Sequence, residues 1–316
     1  MNNADSLASN KTIYDHMQAA VDIVNDSPHP TNKIAATIAG EGYALSRTNL
    51  WPKAITKTLG NDVKIGNSSS TIHAETACIL AAPKTLNASI FVTDPPCPNC
   101  MKNMAEAGIS ALYIDHKGFD KDWAKRRGND FQTMSMRVAA KAGMDVFVIY
   151  RKEQKYEVIS THPPGYKPKI ENPAKIEKCD NWGETLSAAK SHYADEPFAL
   201  GYCTDAQGHP FSILVDRHPT IGYTYETVEN KQDKYSFILQ PINRLLMIAA
   251  KQGLTLDPEY IYTSRIPTSR EFVNFIGAGF TKITIGDPTQ SRDEHGLTAL
   301  LTLTKSNTIT VKGETS

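Results

Sequence analysis

The sequence predicts an α/β protein built as two three-layer α/β/α sandwiches in tandem. Two observations support this fold class. Segments typical of strands and of helices alternate along the first half of the chain, and the same order of segments recurs in the second half. A length of 316 residues is enough for two domains that each bury a core of their own.

The first half opens with an amphipathic helix over 11–25, whose apolar residues recur every three or four positions. Proline-rich residues 27–30 end that helix. The elements that follow are strands at 33–39 and 43–46, a helix from about 73, a strand at 89–93, a helix at 97–107, a strand at 111–114, a helix at 133–141 and a strand at 146–150. This alternation favours a sheet covered by helices on both faces.

A linker is predicted where four prolines and one glycine fall within residues 161–173. We therefore expect a first domain over 1–155, a linker over 156–175 and a second domain over 176–316. The second half resembles the first: residues 73–82 align with 241–250 at an offset of 168, and residues 91–114 align with 262–285 at an offset of 171. The ordered agreement of several elements indicates a duplication.

Composition counts against a nucleic-acid-binding protein and against a membrane protein. Lysine plus arginine equals aspartate plus glutamate at 34 each, so no overall field attracts nucleic acid or a membrane surface. No apolar run approaches the length that spans a bilayer. Two of the five cysteines form Cys97-x-x-Cys100, which is typical of metal or redox chemistry in a reducing compartment. We expect a cytoplasmic protein.

The pattern His73-Ala74-Glu75, followed by Pro-Cys97-x-x-Cys100, predicts a catalytic zinc site. Two thiolates three residues apart at a helix start can face one ion, and His73 supplies a third donor. A catalytic zinc keeps its fourth position for water, whereas a structural zinc needs four protein ligands. The sequence offers no second C-x-x-C and no nearby H-x-x-H to complete a structural site.

Glu75 lies two residues after the predicted histidine ligand, on the first turn of the same helix. From there its carboxylate can carry protons without binding the metal. It can take a proton from the attacking water and pass it to the ring nitrogen, and it can protonate the departing amine in a second transfer. Taken alone, Glu75 would be an ordinary helix-start carboxylate. Its position in the joint pattern predicts hydrolytic deamination. Cys78, Cys179 and Cys203 have no such neighbours and are expected to pack in the core.

At these residues the chain resembles the cytidine deaminase-like superfamily, and within it the deoxycytidylate (dCMP) deaminase group. The resemblance covers about the first 150 residues and is carried by three stretches, Asn49-Leu-Trp-Pro52, Ile72–Glu75 and Thr93–Cys100. It implies one zinc ion on His73, Cys97 and Cys100, with Glu75 as the proton shuttle. It also implies that Asn49 and Ala74 contact the substrate, and that related chains form homo-oligomers.

The expected function is deamination of a small aminated pyrimidine, a cytosine nucleotide such as dCMP, by attack of water at C4 with release of ammonia. The alternatives are a deaminase that edits RNA or single-stranded DNA, and a deaminase of another base, nucleoside or heterocycle. Zero net charge counts against editing, since nucleic-acid affinity depends on phosphate contacts. Basic candidates for a phosphate site are Arg47, Lys53, Arg126 and Arg127.

The second half is predicted to be a catalytically silent copy. In the sequence alignment His73 falls opposite Pro241, Glu75 opposite Asn243, Cys97 opposite Thr268 and Cys100 opposite Glu271. The donor set is lost, so this half should bind no zinc and should pack as the other half of an internal pseudo-dimer. An effector site in the vacated pocket is the alternative, with basic candidates Arg244, Arg265 and Arg270.

Overall fold

The computed structural model describes residues 12–121, 131–228 and 236–313. Its α-helices are α1 (Ile13–Ile23), α2 (Lys53–Leu59), α3 (Ala74–Ala81), α4 (Pro98–Glu106), α5 (Met136–Ala142), α6 (Trp182–Tyr193), α7 (Pro241–Gln252), α8 (Ser269–Gly277) and α9 (Glu294–Lys305). Its strands are β1 (Ala35–Gly40), β2 (Tyr43–Thr48), β3 (Lys64–Ile65), β4 (Ser68–Ser69), β5 (Ser89–Val92), β6 (Ala111–Asp115), β7 (Asp145–Tyr150), β8 (Lys155–Ser160), β9 (Lys175–Lys178), β10 (Phe198–Thr204), β11 (Pro210–Asp216), β12 (His218–Pro219), β13 (Ile238–Leu239), β14 (Thr255–Ile266), β15 (Lys282–Ser291) and β16 (Thr310–Lys312). Within these ranges no helix has the length and apolar character needed to cross a bilayer.

The first unit contains a six-stranded mixed sheet in the order β2-β1-β5-β6-β7-β8. Strands β5, β6 and β7 run parallel, and the pairs β1–β2, β1–β5 and β7–β8 are antiparallel. Phe91, Tyr113 and Phe147 lie in register on one face and stack in a row, at ring-centroid distances of 4.7 and 4.8 Å. This row joins Met17 of α1 in the core of that face.

Both faces of this sheet are covered, as the alternating strands and helices predicted. Because strand side chains alternate in direction, Ile38, Ile90 and Leu112 point away from the face that carries Phe91. All three are fully buried, and α3 packs on β1 and β2. The α/β/α arrangement of the first half is therefore confirmed, with each predicted strand and helix present to within a few residues.

The second unit repeats this topology in five of its six strands, and its sixth strand, β9, lies at the other edge of the sheet. Its sheet has the order β16-β15-β14-β10-β11-β9, in which β14, β15 and β16 are parallel and β10 is antiparallel to both β11 and β14. Strands β11, β10, β14, β15 and β16 thus correspond to β2, β1, β5, β6 and β7, in the same order and with the same directions. The helices correspond in the same way, α6 to α1, α7 to α3, α8 to α4 and α9 to α5. The predicted tandem of two α/β units is confirmed.

The two units do not follow the chain consecutively. Residues 1–50, 73–171 and 219–237 form the first unit, and residues 51–72, 172–218 and 238–316 form the second. Each unit therefore includes a segment from the other half, and strand β8 lies where the sequence indicated the start of a linker. One passage of the chain between the units, after Glu171, lies within the proline-rich stretch. The other points at which the chain changes unit depend on tertiary packing, which a local composition pattern does not reveal.

Candidate zinc site

The three predicted zinc ligands lie at the starts of two neighbouring helices. His73 is the N-cap of α3, and Cys97 is the N-cap of α4, with Cys100 one turn into that helix. Pro98 occupies the first helical position of α4, where its missing N–H costs nothing. Helix α3 packs against α4, so the local signals that start the two helices bring the three side chains together.

The donor atoms of this triad fit a single ion. The Nδ1 atom of His73 lies 3.5 Å from the Sγ atom of Cys97 and 3.2 Å from that of Cys100, and all three donor atoms lie within 4.8 Å of one another. Around a tetrahedral zinc, ligand atoms at about 2.0–2.3 Å from the ion are roughly 3.5 Å apart. Among the described residues, these are the ones that form a His/Cys/Asp/Glu cluster able to hold a metal ion.

The pKa values of the Cys97 and Cys100 thiols are shifted in opposite directions. The Cys100 thiol donates to the Cys97 sulfur, and this contact, helped by nearby His73, holds the pKa of Cys97 well below its usual range. Cys100 keeps its proton to make that contact, so its pKa is raised. A site with one thiol already inclined to ionise favours metal binding, because zinc binds the thiolate.

Glu75 is buried beside this triad, with 3% of its surface exposed. Burial raises the pKa of its carboxyl from 4.5 to about 7, against the opposing effect of His73. Its Oε2 atom makes no hydrogen bond within the described residues. A buried oxygen with no protein partner and a pKa near neutrality is suited to exchanging protons with a ligand.

A buried hydrogen bond that the sequence analysis did not identify joins the two ligand-bearing helices. Asn103 of α4 donates from Nδ2 to the Oγ1 atom of Thr76 on α3, 3.2 Å away. The same Thr76 hydroxyl lies 3.8 Å from the Sγ atom of Cys100. Thr76 and Asn103 are both 2% exposed. The sequence signal for this bond is weak, because Asn103 lies in a helix that also carries Asn99, Lys102 and Glu106.

The loop that leads to Cys97 is also held by polar side chains. The Asp94 carboxylate accepts from the Lys121 ammonium and from the Thr93 hydroxyl, each at 2.7 Å. Ser135 donates from Oγ to the carbonyl oxygen of Pro96 at 3.0 Å. A Cβ atom at Gly118 would lie 2.4 Å from the carbonyl oxygen of Thr93, so only glycine allows this close approach.

Asn49 follows strand β2 and organises the loop between α1 and β1. Its Oδ1 atom accepts from the Ser27 hydroxyl at 2.7 Å and from the Ile34 amide at 2.9 Å, and its Nδ2 atom donates to the carbonyl oxygen of Asn32 at 2.8 Å. These contacts use both acceptor positions of the amide and one of its two N–H groups. A substrate contact by Asn49 is restricted to the remaining N–H, so the predicted role stays a prediction. Ala74, the other predicted contact, is fully buried at the first position of α3.

The predicted phosphate candidates do not gather in one place. Arg47 lies exposed on β2 and donates to the carbonyl oxygen of Ser46. Lys53 is exposed at the start of α2, in the segment that belongs to the second unit. Arg126 and Arg127 fall outside the described residues. The three cysteines expected to pack, Cys78, Cys179 and Cys203, are free and buried.

The corresponding position of the second unit is shifted by one residue from the sequence alignment. Gln240 is the N-cap of α7, as His73 is of α3, so His73 corresponds to Gln240 rather than to Pro241. Pro241 takes the first helical position, which proline favours. Glu75 accordingly corresponds to Ile242. The hydrogen bond from Asn274 to Asn243, at 2.8 Å, confirms this register because it repeats the bond from Asn103 to Thr76.

In the second unit a carboxylate, that of Glu271, occupies the position that corresponds to the metal ligand Cys100. Thr268 and Glu271 correspond to Cys97 and Cys100, as the sequence alignment indicated. The Glu271 carboxylate accepts from the amide and hydroxyl of Thr268, at 2.7 and 2.8 Å, and from the amide of Ile242 at 2.8 Å. It thereby caps the starts of both helices, and it is buried at 1% exposure.

The arginines considered for an effector site are engaged within the second unit. Arg244 is buried and paired with Asp216. Arg265 donates to the carbonyl oxygen of Asp195, and Arg270 donates to that of Thr71 at 2.8 Å. These contacts give all three arginines a structural role.

Comparison with known proteins agrees with this site. Residues 10–115 match the family model described as the cytidine and deoxycytidylate deaminase zinc-binding region. A curated protein from Aliivibrio fischeri, described as an uncharacterized deaminase in the luxG 3′ region, is 30% identical over 122 residues. That alignment covers 38% of this chain and 81% of the relative.

Two solved structures are also similar, both of the dCMP deaminase from the cyanophage S-TIM5. The apo form is 20% identical with a TM-score of 0.29, and the complex with dCMP and dUMP is 18% identical with a TM-score of 0.32. Each match covers 43% of this chain and 94% of the other.

The family model falls on the half of the chain that carries the His73, Cys97 and Cys100 cluster, which fits one zinc ion. Through this half the protein belongs to the cytidine and deoxycytidylate deaminase family of the cytidine deaminase-like superfamily, and it is a zinc-dependent hydrolytic deaminase.

Proposed function

We propose that this enzyme deaminates a cytosine nucleotide, with dCMP as the preferred substrate. Water adds at C4 of the pyrimidine, the exocyclic C–N bond breaks, and the products are the uracil nucleotide and ammonia. The observation that carries the proposal is the buried Glu75 carboxylate beside the triad of His73, Cys97 and Cys100. A structural zinc site would have no use for a proton carrier at that place.

The side chains have distinct roles in this reaction. His73, Cys97 and Cys100 would hold a zinc ion, and that ion would supply a nucleophile at neutral pH by lowering the pKa of water. Glu75 would take one proton from the water and deliver it to N3 of the ring. It would then take the remaining proton from the C4 hydroxyl and pass it to the departing amine as the C–N bond breaks. A carboxyl pKa of about 7 suits this task, since the group must both accept and return a proton near neutral pH.

The choice of a cytosine nucleotide is supported by the family and by the sequence around the triad. The matched family model is named for cytidine and deoxycytidylate deaminases. The stretches around Asn49 and Cys97 resemble the dCMP group. A polynucleotide substrate is disfavoured by equal numbers of basic and acidic residues. Free bases and nucleosides are outcomes of the test.

The proposal is tested by ammonia release from zinc-loaded protein with dCMP, CMP, deoxycytidine, cytidine, cytosine, adenine compounds and single-stranded oligonucleotides. We expect turnover of cytosine nucleotides, with dCMP giving the highest kcat/KM. Replacing Glu75 by glutamine should lower kcat by about 10²–10⁴-fold, because glutamine cannot carry a proton. Zinc content should stay at that of the wild type, because Glu75 is not a ligand.

Glu271→Gln is the matched control, since Glu271 is a buried carboxylate near the corresponding helix starts of the second unit. It should leave the rate of ammonia release unchanged. Turnover of oligonucleotides but not of mononucleotides would replace the proposal with an editing activity. Full activity of Glu75→Gln would overturn the proposed mechanism.

A further inference from the structure

We propose that a segment from the second half of the sequence is a positioning element of the active site. The described residues 219–228 and 236–237, called here the returning segment, belong to the first unit. They contact α4, the helix that starts with the two metal-binding cysteines, and its neighbour α5. The inference rests on the roles proposed above for Cys97 and Cys100.

Lys102 of α4 makes the central contact. Its ammonium donates to the carbonyl oxygen of Ser236 at 2.8 Å, and the side chain is only 4% exposed. Burying an ammonium costs much free energy unless it finds strong acceptors. The corresponding residue of α8 in the second unit is Val273, which is fully buried. An apolar side chain therefore suffices for packing at this place, and the ammonium adds a directed bond to the returning segment.

Phe237, the next residue, fixes the returning segment against α5. The guanidinium of Arg137 lies over the Phe237 ring, 5.0 Å from its centroid. Tyr223 stacks on the same ring at 4.5 Å. Thr220 donates to the Phe237 carbonyl oxygen from its amide at 2.7 Å and from its hydroxyl at 2.8 Å. The two described parts of the segment are thus held together as one body.

A close backbone approach adds a second point of attachment. Gly222 donates from its amide to the carbonyl oxygen of Lys169 at 2.8 Å. A Cβ atom at Gly222 would lie 2.1 Å from the carbonyl oxygen of Lys141 at the end of α5. With a φ of +90°, the position also has a backbone conformation that favours glycine. The sequence is therefore adapted to direct contact between the returning segment and α5.

The contacts reach the ligands through α4 itself. Lys102 lies two residues after Cys100, and its neighbour Asn103 holds the Thr76 hydroxyl on α3. Helix α4 is thus hydrogen-bonded both to the returning segment, through Lys102, and to the helix that starts at His73, through Asn103. Partners outside the ligand sphere that orient ligands typically change metal affinity or activity by 10–100-fold.

The test uses the full chain and the variant Lys102→Met, which keeps most of the side-chain volume but removes the donor. We expect zinc transfer to a coloured chelator to be about tenfold faster than in the wild type. With the preferred substrate, kcat should fall and KM should stay unchanged. In metal-free protein, backbone amides of α4 should exchange hydrogen faster, which reports the position of the helix without catalysis.

Met17→Ala is the control for simple loss of stability. Met17 is fully buried between α1 and the face of the first unit's sheet that carries Phe91. Met17→Ala should therefore lower Tm without changing the rate of zinc transfer at 25 °C. The inference would be overturned if Lys102→Met had a lower Tm than the wild type but the same rate of zinc transfer and the same hydrogen exchange of α4 amides as Met17→Ala. Failure of the wild type to bind zinc would overturn the proposed function instead, and the exchange of α4 amides in metal-free protein would still decide the inference.

Discussion

The Glu271 carboxylate accepts a hydrogen bond from the backbone amide of Ile242, 2.8 Å away. These residues correspond to Cys100 and Glu75 of the first unit, so a side chain bridges the two helix starts where the first unit gathers its ligands. We expect Glu271→Ala to lower the free energy of unfolding by about 1–3 kcal/mol, because buried amides lose their acceptor. Chemical denaturation measures this loss.

Zinc content provides the second readout of the same replacement. Both the wild type and Glu271→Ala should hold one zinc per chain, as determined by elemental analysis of dialysed protein. Two zinc ions in the wild type would contradict a silent second unit. A loss of zinc on removing Glu271 would show that this carboxylate acts on the metal site.

Asn49 is expected to affect stability as well as activity. Its side chain makes three hydrogen bonds to Ser27, Asn32 and Ile34, so Asn49→Ala removes all three and leaves the part-buried Ile34 amide without this acceptor. We expect a loss of about 1–3 kcal/mol in the free energy of unfolding, together with a lower kcat/KM. If Asn49 served only as a substrate contact, urea denaturation of the variant would match the wild type. Ser27→Ala, which removes one of the three bonds, should show a smaller loss.

Cys78 should make stability fall at alkaline pH. Burial raises the pKa of its thiol from 9.0 to about 12, so the folded state keeps a proton that the unfolded state releases. Its contribution to stability is fully present below pH 9 and is lost as the pH rises toward 12. Cys78→Ala should show a shallower decline over this window in denaturation experiments. A parallel decline of stability in the wild type and in Cys78→Ala would contradict this role of Cys78.

The same burial predicts that Cys78 resists alkylation in the folded protein at pH 8.

The fold was largely predictable because its signals are local. Apolar periodicity and helix-start residues locate α1, α3 and α4, and the His73 and Cys97 motifs fall on helix caps. The triad could be predicted for the same reason: two helix starts that each carry ligands need only one packing contact to assemble a site.

The remaining features depend on distant contacts. Lys102 and Glu106 are spaced like a solvent-exposed helical pair, yet both are buried. The exchange of segments between units follows from packing at residues such as Gly222, where a sequence reveals only a glycine. The sequence alignment placed Pro241, rather than Gln240, opposite His73. This one-residue error arose because the alignment matched apolar positions later in α7 and ignored the helix cap. Helix caps define the register better than short apolar matches do.

Equivalent hydrogen bonds in the two units offer a paired test of the zinc site. Asn103 donates to Thr76 in the first unit, and Asn274 donates to Asn243 in the second. Thr76→Val and Asn243→Leu each remove a buried acceptor while retaining bulk. Both should lower the free energy of unfolding by about 1–3 kcal/mol. Thr76→Val alone should speed zinc transfer to a chelator, because Thr76 also lies 3.8 Å from the Cys100 sulfur. Equal zinc transfer in the two variants would mean that this bond stabilises the helix pair without orienting the ligand.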